Sequence, residues 1–130
     1  MKQATEPNIR AMSSAGLKAF FNIMHTWKIK DSEARVLLGS PARSTFYKWK
    51  ANPNVTLPHD TLERISYVLG IYKALQILLQ SNEASDAWVK KPNNAPIFNG
   101  QSALQRMLSG NMADLFVTRQ YLDAMRGGWA

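Results

Sequence analysis

Apolar residues recur every three or four positions along nearly the whole of this chain, and the runs are cut only by glycine and proline signals. That combination admits helices and little else. From Ser14, the residues Leu17, Phe20, Phe21, Met24 and Trp27 share one helical face. A short second run carries Ala34, Val36, Leu37 and Leu38, with Asp31 or Ser32 placed to cap it and Gly39 to stop it. Ser40 and Pro41 offer a cap and a first-turn proline for a third helix, which runs to about Ala51 and ends before the Asn52-Pro53-Asn54 loop. His59-Asp60-Thr61 opens the longest helix, with Asp60 as cap and Glu63 three residues on. Its stripe is Leu62, Ile65, Val68, Leu69, Tyr72, Leu75 and Leu79.

Beyond it, Pro92 to Pro96 reads as an extended connector. Ser102 and Gln105 form another capping pair, for a helix with Leu104, Met107 and Leu108 that ends at Gly110. Asn111 is placed to cap the last helix, whose expected inner face is Leu115, Phe116, Leu122 and Met125, with Gly127-Gly128 as its stop. No strand pattern of any length is present, so the expected class is all-α. The expected organisation is a flexible arm over 1–13, a helix-turn-helix domain with its long linker helix over 14–80, and a small helical module over 81–130.

Two short helices joined by a tight turn let the second enter the DNA major groove while the first crosses the backbone. On the third helix, Ala42, Phe46 and Trp49 share a face that should pack inward. Ser44, Tyr47 and Lys48 point the other way, with Arg43 and Lys50 on the flank and Thr45 carrying a further short hydroxyl. Arg43 has the geometry to read a guanine edge, while Lys48, Lys50, Lys28 and Lys30 suit phosphates. Charge agrees with this placement. Net charge is +7, and residues 1–80 hold 11 Lys and Arg against 5 Asp and Glu, whereas residues 81–130 hold 5 against 4. A nucleic-acid footprint therefore belongs to the first part.

Other classes find little support. There is no cysteine, so disulfides and thiolate metal sites are excluded, and two histidines alone do not make an ordinary metal site. No apolar run approaches the roughly 18 residues needed to cross a bilayer, and the polar start lacks the apolar core of a signal peptide. A cytoplasmic, non-membrane protein without cofactor is expected. His25 reads as a partly buried packing residue and His59 as the residue before a helix cap, and no nucleophile-base pair or glycine-rich phosphate loop is visible, so an enzyme is not expected.

Arg43-Ser44-Thr45-Phe46-Tyr47-Lys48-Trp49-Lys50 resembles the recognition helix of Xre-type phage-repressor proteins, which often read R-S-T-x-x-R-W. The stretch from Gly39 to Trp49 is one residue longer than in those repressors, which leaves the start of the helix open between Pro41 and Arg43. The run Leu62 to Leu75 resembles the linker helix of the Xre/MbcA/ParS antitoxin family. The same family's pattern is matched by Pro96-Ile97-Phe98-Asn99-Gly100 with Ser102, by Met107 to Gly110, and by Tyr121-Leu122-Asp123-Ala124-Met125-Arg126-Gly127-Gly128-Trp129. Asn99 departs from it at a position where small or acidic residues also occur, a change expected to affect only a local turn.

The resemblance implies a type II antitoxin that neutralises a RES-domain toxin, one that consumes NAD or transfers ADP-ribose, and that represses its own operon. It further implies that the C-terminal module grips the toxin with the chain end at the active-site cleft. Carried onto this sequence, the toxin-binding candidates are Tyr121, Arg126, Gly127, Gly128, Trp129 and Ala130. The residue types fit: Trp and Arg are enriched in binding hot spots, and a glycine pair permits close backbone approach. A stand-alone phage-repressor-like regulator is the alternative reading. In either case operator DNA, pseudo-palindromic and read by a homodimer, is the expected partner. Tyr67, Ile71, Ile77 and Leu78 are candidates for the dimer contact.

Overall fold

The computed structural model describes residues 6–127. Among the described residues seven α-helices follow one another: α1 Glu6–Thr26, α2 Asp31–Leu37, α3 Arg43–Ala51, α4 His59–Leu78, α5 Asn82–Ala87, α6 Ala103–Met107 and α7 Met112–Gly127. A single 3₁₀ turn, Trp88–Lys90, continues α5. Among the described residues there is no strand, only an isolated bridge between Pro92 and Ser102. The all-α class holds, with a helix-turn-helix followed by a helical C-terminal module.

Helix α1 begins earlier than the apolar pattern suggests. The segment expected to be a flexible arm is helical from Glu6, and Ser13 is fully buried. Its hydroxyl accepts the backbone N–H of Leu57 at 3.0 Å, and Arg10 donates to the Asn54 side chain and carbonyl at 3.3 Å. These bonds tie the first turns of α1 to the loop before α4. They bridge 44 residues of sequence, which local periodicity does not report.

Several helix starts also differ. The residue before α2 is Lys30, so Asp31 and Ser32 lie inside the first turn; Glu33 reaches back to accept the Lys30 backbone N–H at 3.2 Å. Pro58, not Asp60, precedes α4, and Asp60 instead pairs with Arg64 one turn later at 3.0 Å. The capping pair at α6 is as expected: Ser102 Oγ accepts from Gln105 N at 3.1 Å and Gln105 Oε1 accepts from Ser102 N at 2.8 Å. Pro92 to Pro96 is not simply extended, because Pro92 closes on Ser102 and a turn over 96–100 sinks Phe98 into the core.

One apolar cluster runs through both halves. It includes Leu17, Phe20, Trp27, Leu37 and Phe46 from the first three helices, Ile65, Val68, Ile71 and Leu75 from α4, and Val89, Phe98, Met107, Leu115 and Leu122 from the rest. Helix α4 lies between α1 and α7 and packs on both. Ile71, offered as a dimer contact, is fully buried there. Where α4 faces α7, a Cβ at Gly70 would meet only the far end of the Arg119 side chain. On α7 the inner face is Leu115, Thr118 and Leu122, while Phe116 and Met125 are 45% and 54% exposed, contrary to expectation. Positions 115, 118 and 122 lie at helical spacing, and the small Thr118, whose hydroxyl bonds the Asp114 carbonyl at 2.8 Å, sits at the contact in place of a bulkier side chain.

Candidate nucleic-acid interface and C-terminal face

The turn between α2 and α3 is made by two successive left-handed residues, Gly39 at φ +94° and Ser40 at φ +57°. Glycine takes that conformation freely; Ser40 is held in it because its N–H caps the Arg35 carbonyl at 2.9 Å. Arg35 then donates to the Pro41 carbonyl at 2.7 Å, clamping the far side of the turn to α2. Ser40 and Pro41 therefore do not open the third helix. Its first residue is Arg43, which settles the start left open between Pro41 and Arg43, and Ala42 is exposed in extended geometry just outside.

Phe46 anchors α3. It is buried against Phe21 with ring centroids 5.6 Å apart, edge to face, and Phe21 meets Phe20 in the same way at 5.4 Å. Trp49 packs half-buried beside it. With the helix pinned on that side, Arg43, Ser44, Tyr47, Lys48 and Lys50 face solvent and Thr45 is half-buried. Lys50 is held by Asp31 Oδ1 at 2.7 Å, an exposed pair. Lys28 is exposed in a left-handed turn at φ +57° and Lys30 is exposed at the start of α2. The eight residues singled out from sequence thus lie on α3 and on the turn leading into α2. Cations, hydroxyls and one phenol on an exposed helix face are the groups that bind phosphates and base edges.

Sequence reasoning missed Arg35, which shapes the turn, and Asp31, which positions Lys50. It also missed Lys90, whose Nζ donates to the Lys28 carbonyl at 2.5 Å across 62 residues of sequence. His25, expected to be partly buried, is exposed.

At the other end, Tyr121 is half-buried with its ring edge-on to Phe98 at 5.4 Å, and Phe98 meets Trp88 at 5.8 Å. Tyr121 is therefore partly a packing residue. Arg126 is exposed with Nη1 4.0 Å from Asp123, and Gly127 is exposed with open space around it. Gly128, Trp129 and Ala130 lie outside the described residues. A polar knot fixes the start of α7. Asp114 accepts from Ser109 Oγ at 2.5 Å and from Arg106 Nε at 2.9 Å, and Arg106 also donates to the Ile97 carbonyl. The Ser109 hydroxyl, followed by the Arg106 guanidinium, holds the Asp114 carboxyl below its ordinary value. Asn99 adopts φ +51° beside Gly100 at φ +84°, so that position does serve a local turn. Among the described residues, no three metal-binding side chains converge.

Residues 6–70 match the family model described as an antitoxin Xre-like helix-turn-helix domain, and residues 74–128 match that of an antitoxin Xre/MbcA/ParS C-terminal toxin-binding domain. The chain belongs to this antitoxin family. The two matches meet inside α4, the helix shared by both halves of the core. Proteins of this kind are regulators without enzymatic activity. A relative, the uncharacterized protein y4oB of Sinorhizobium fredii (strain NBRC 101917 / NGR234), is 50% identical over 114 residues, 88% of this chain and 86% of the relative. Its name assigns no activity, so it adds kinship alone. The antitoxin's helix-turn-helix carries the exposed α3 set, and its toxin-binding domain carries Tyr121, Arg126 and Gly127. No helix of the described residues is long and apolar enough to cross a membrane.

Proposed function

We propose that this antitoxin neutralises a RES-domain toxin by placing its C-terminal tail at the toxin's active-site cleft, and that as a homodimer in the cytoplasm it represses its own operon through α3. The observation that carries the DNA half is the division of α3 between a buried Phe46 face and an exposed face of Arg43, Ser44, Tyr47, Lys48 and Lys50. The toxin half is supported by the toxin-binding domain match and by the resemblance of Tyr121 to Trp129 to the family's terminal pattern. Arg126 and Gly127, exposed at the end of α7, fit a tail that continues into a partner.

Three measurements test this reading. Deleting residues 127–130 should abolish protection of cells from the cognate toxin and leave operator binding nearly intact; surviving protection would refute tail occlusion. Co-purification from the native operon checks the pairing itself, and a chain that emerges without a RES-domain partner would favour the stand-alone regulator. For the dimer, Tyr67, Ile77 and Leu78 remain available on α4 where Ile71 does not, and Phe116 joins Tyr67 edge to face at 5.7 Å on the same surface. Light scattering that gives a monomer at micromolar concentration would count against it.

A further inference from the structure

The sequence divides charge so that the first 80 residues hold nearly all the excess of cations. The fold does not keep that division. Lys90 and Lys91, at the 3₁₀ turn of the toxin-binding domain, are brought beside Lys28 and Lys30 of the helix-turn-helix domain. Lys90 Nζ bonds the Lys28 carbonyl at 2.5 Å. One cleft is lined by Lys28, Lys90 and Lys91, and a neighbouring one by Lys30 and Lys90. All four lysines are exposed.

The acidic groups of the same clefts are Glu33, Glu83 and Asp86. Glu33 is half-buried and occupied by the Lys30 backbone N–H, and one oxygen of Asp86 is buried. Four exposed ammonium groups thus stand against three carboxylates, of which Glu83 alone is exposed and Glu33 and Asp86 are half-buried, so the excess at the surface is cationic. The seam is therefore a basic edge, and it begins where α2 begins. In a helix-turn-helix the first of the two helices crosses the DNA backbone, so an edge that begins at the start of α2 is placed to reach phosphates flanking a groove entered by α3.

We infer that the toxin-binding domain contributes directly to DNA binding: Lys90 and Lys91 extend the phosphate-binding surface of Lys28 and Lys30 across the domain seam. The partner is duplex DNA, met through its backbone and without regard to sequence. This rests on the reading that α3 docks in the major groove. Lys90 is suited to the role because its bond to the Lys28 carbonyl already fixes its stem, and an ammonium keeps two further donors for phosphate oxygens.

The test is fluorescence anisotropy of the full-length protein on its own upstream duplex and on a random-sequence duplex, across a salt series. Removing one lysine that neutralises a phosphate should reduce the slope of log affinity against log salt by about 0.9. Lys90→Gln with Lys91→Gln should flatten the slope by nearly twice that on both duplexes and weaken binding about 3- to 10-fold at low salt. Lys91→Glu leaves the Lys90–Lys28 bond untouched and should flatten the slope by at least the amount expected for one phosphate, even if the double variant is less stable. Lys73→Gln, an exposed lysine of α4 that lines neither cleft, should leave the slope unchanged. Unchanged slopes in the Lys90 and Lys91 variants, alongside abolished binding in Arg43→Ala with Lys48→Ala, would overturn this inference and leave the α3 reading standing. Wild-type protein that binds neither duplex would overturn both.

Discussion

Single side chains on α3 separate what holds the helix from what the helix presents. Phe46 is 1% exposed and Tyr47, its neighbour in sequence, is 47% exposed, yet the two rings touch edge to face at 5.1 Å. Phe46→Ala should therefore cost about 3–5 kcal/mol and lower the melting temperature sharply, since it empties the contact between α3 and α1. Tyr47→Ala should stay within about 0.5 kcal/mol of wild type by thermal denaturation while weakening operator binding. A Tyr47 variant that melts like the Phe46 variant would mean the phenol is structural. Asp114 gives a second residue-level expectation. Its carboxyl is held below the ordinary value of 3.8, so the charged form is favoured more by the folded than by the unfolded state. The stability it adds is thus present above the ordinary carboxylate range and is lost as pH falls through that range and below it. Asp114→Asn should flatten the acid limb of melting temperature against pH and leave less stability near neutrality; an unchanged limb would remove Asp114 from the acid response.

Between helices, backbone geometry decides what a substitution costs. Gly39 and Gly70 are both crowded by an arginine, and both look like candidates for alanine. Gly39 sits at φ +94° with Arg64 Nε 2.9 Å from a Cβ position, so Gly39→Ala is strained in backbone and side chain alike and should cost about 1–2 kcal/mol. Arg64 also donates to the Gly110 carbonyl at 2.9 Å, so displacing it loosens the tie between the turn and the C-terminal half. Gly70 is different, because it lies in helical backbone and meets only the mobile end of Arg119. There the gain in helix propensity, about 1 kcal/mol, offsets the long bonds from Arg119 to the Ser66 carbonyl and Asp123 at 3.3 and 3.4 Å. Gly70→Ala should melt within about 0.5 kcal/mol of wild type while Gly39→Ala falls clearly below it. Equal losses from the two would show that crowding, not backbone conformation, governs both sites.

These helices were legible in the sequence to different depths, and the reason is the range of the interactions that define each one. The exposed set on α3 followed from a 3.6-residue period around Phe46 and Trp49, which is local information. The placement of Phe116 and Met125 did not, because α7 carries more apolar residues than one face can bury; which stripe turns inward depends on α4. The early turns of α1 are Ala- and Ser-rich and carry no apolar stripe before Leu17, so their order depends on the Ser13 bond to Leu57. Helix α5 is six residues long, too short for a period to register. The seam lysines lay furthest from reach, since nothing near Lys28 announces Lys90.

At the scale of the molecule, the decisive fact is that α4 is shared. Its buried residues Ile65, Val68, Ile71, Ala74 and Leu75 belong to one apolar cluster that also takes in Leu17 and Phe20 of α1 and Leu115 and Leu122 of α7. Neither half closes its core without the other. A small domain with a common core of this kind unfolds as one unit, so the DNA-binding and toxin-binding functions share one stability. Leu122→Ala, far from α3, should cost about 2–5 kcal/mol, and the loss should appear equally in helical circular dichroism and in the fluorescence of Trp27, buried at the end of α1, read in a background where Trp49, Trp88 and Trp129 are replaced by Phe. Operator binding should then disappear at the same temperature as the helical signal, although no DNA-facing residue has been touched. Two separated transitions, with Trp27 reporting the later one, would show instead that the helix-turn-helix stands alone and that α4 lends its C-terminal half without depending on it.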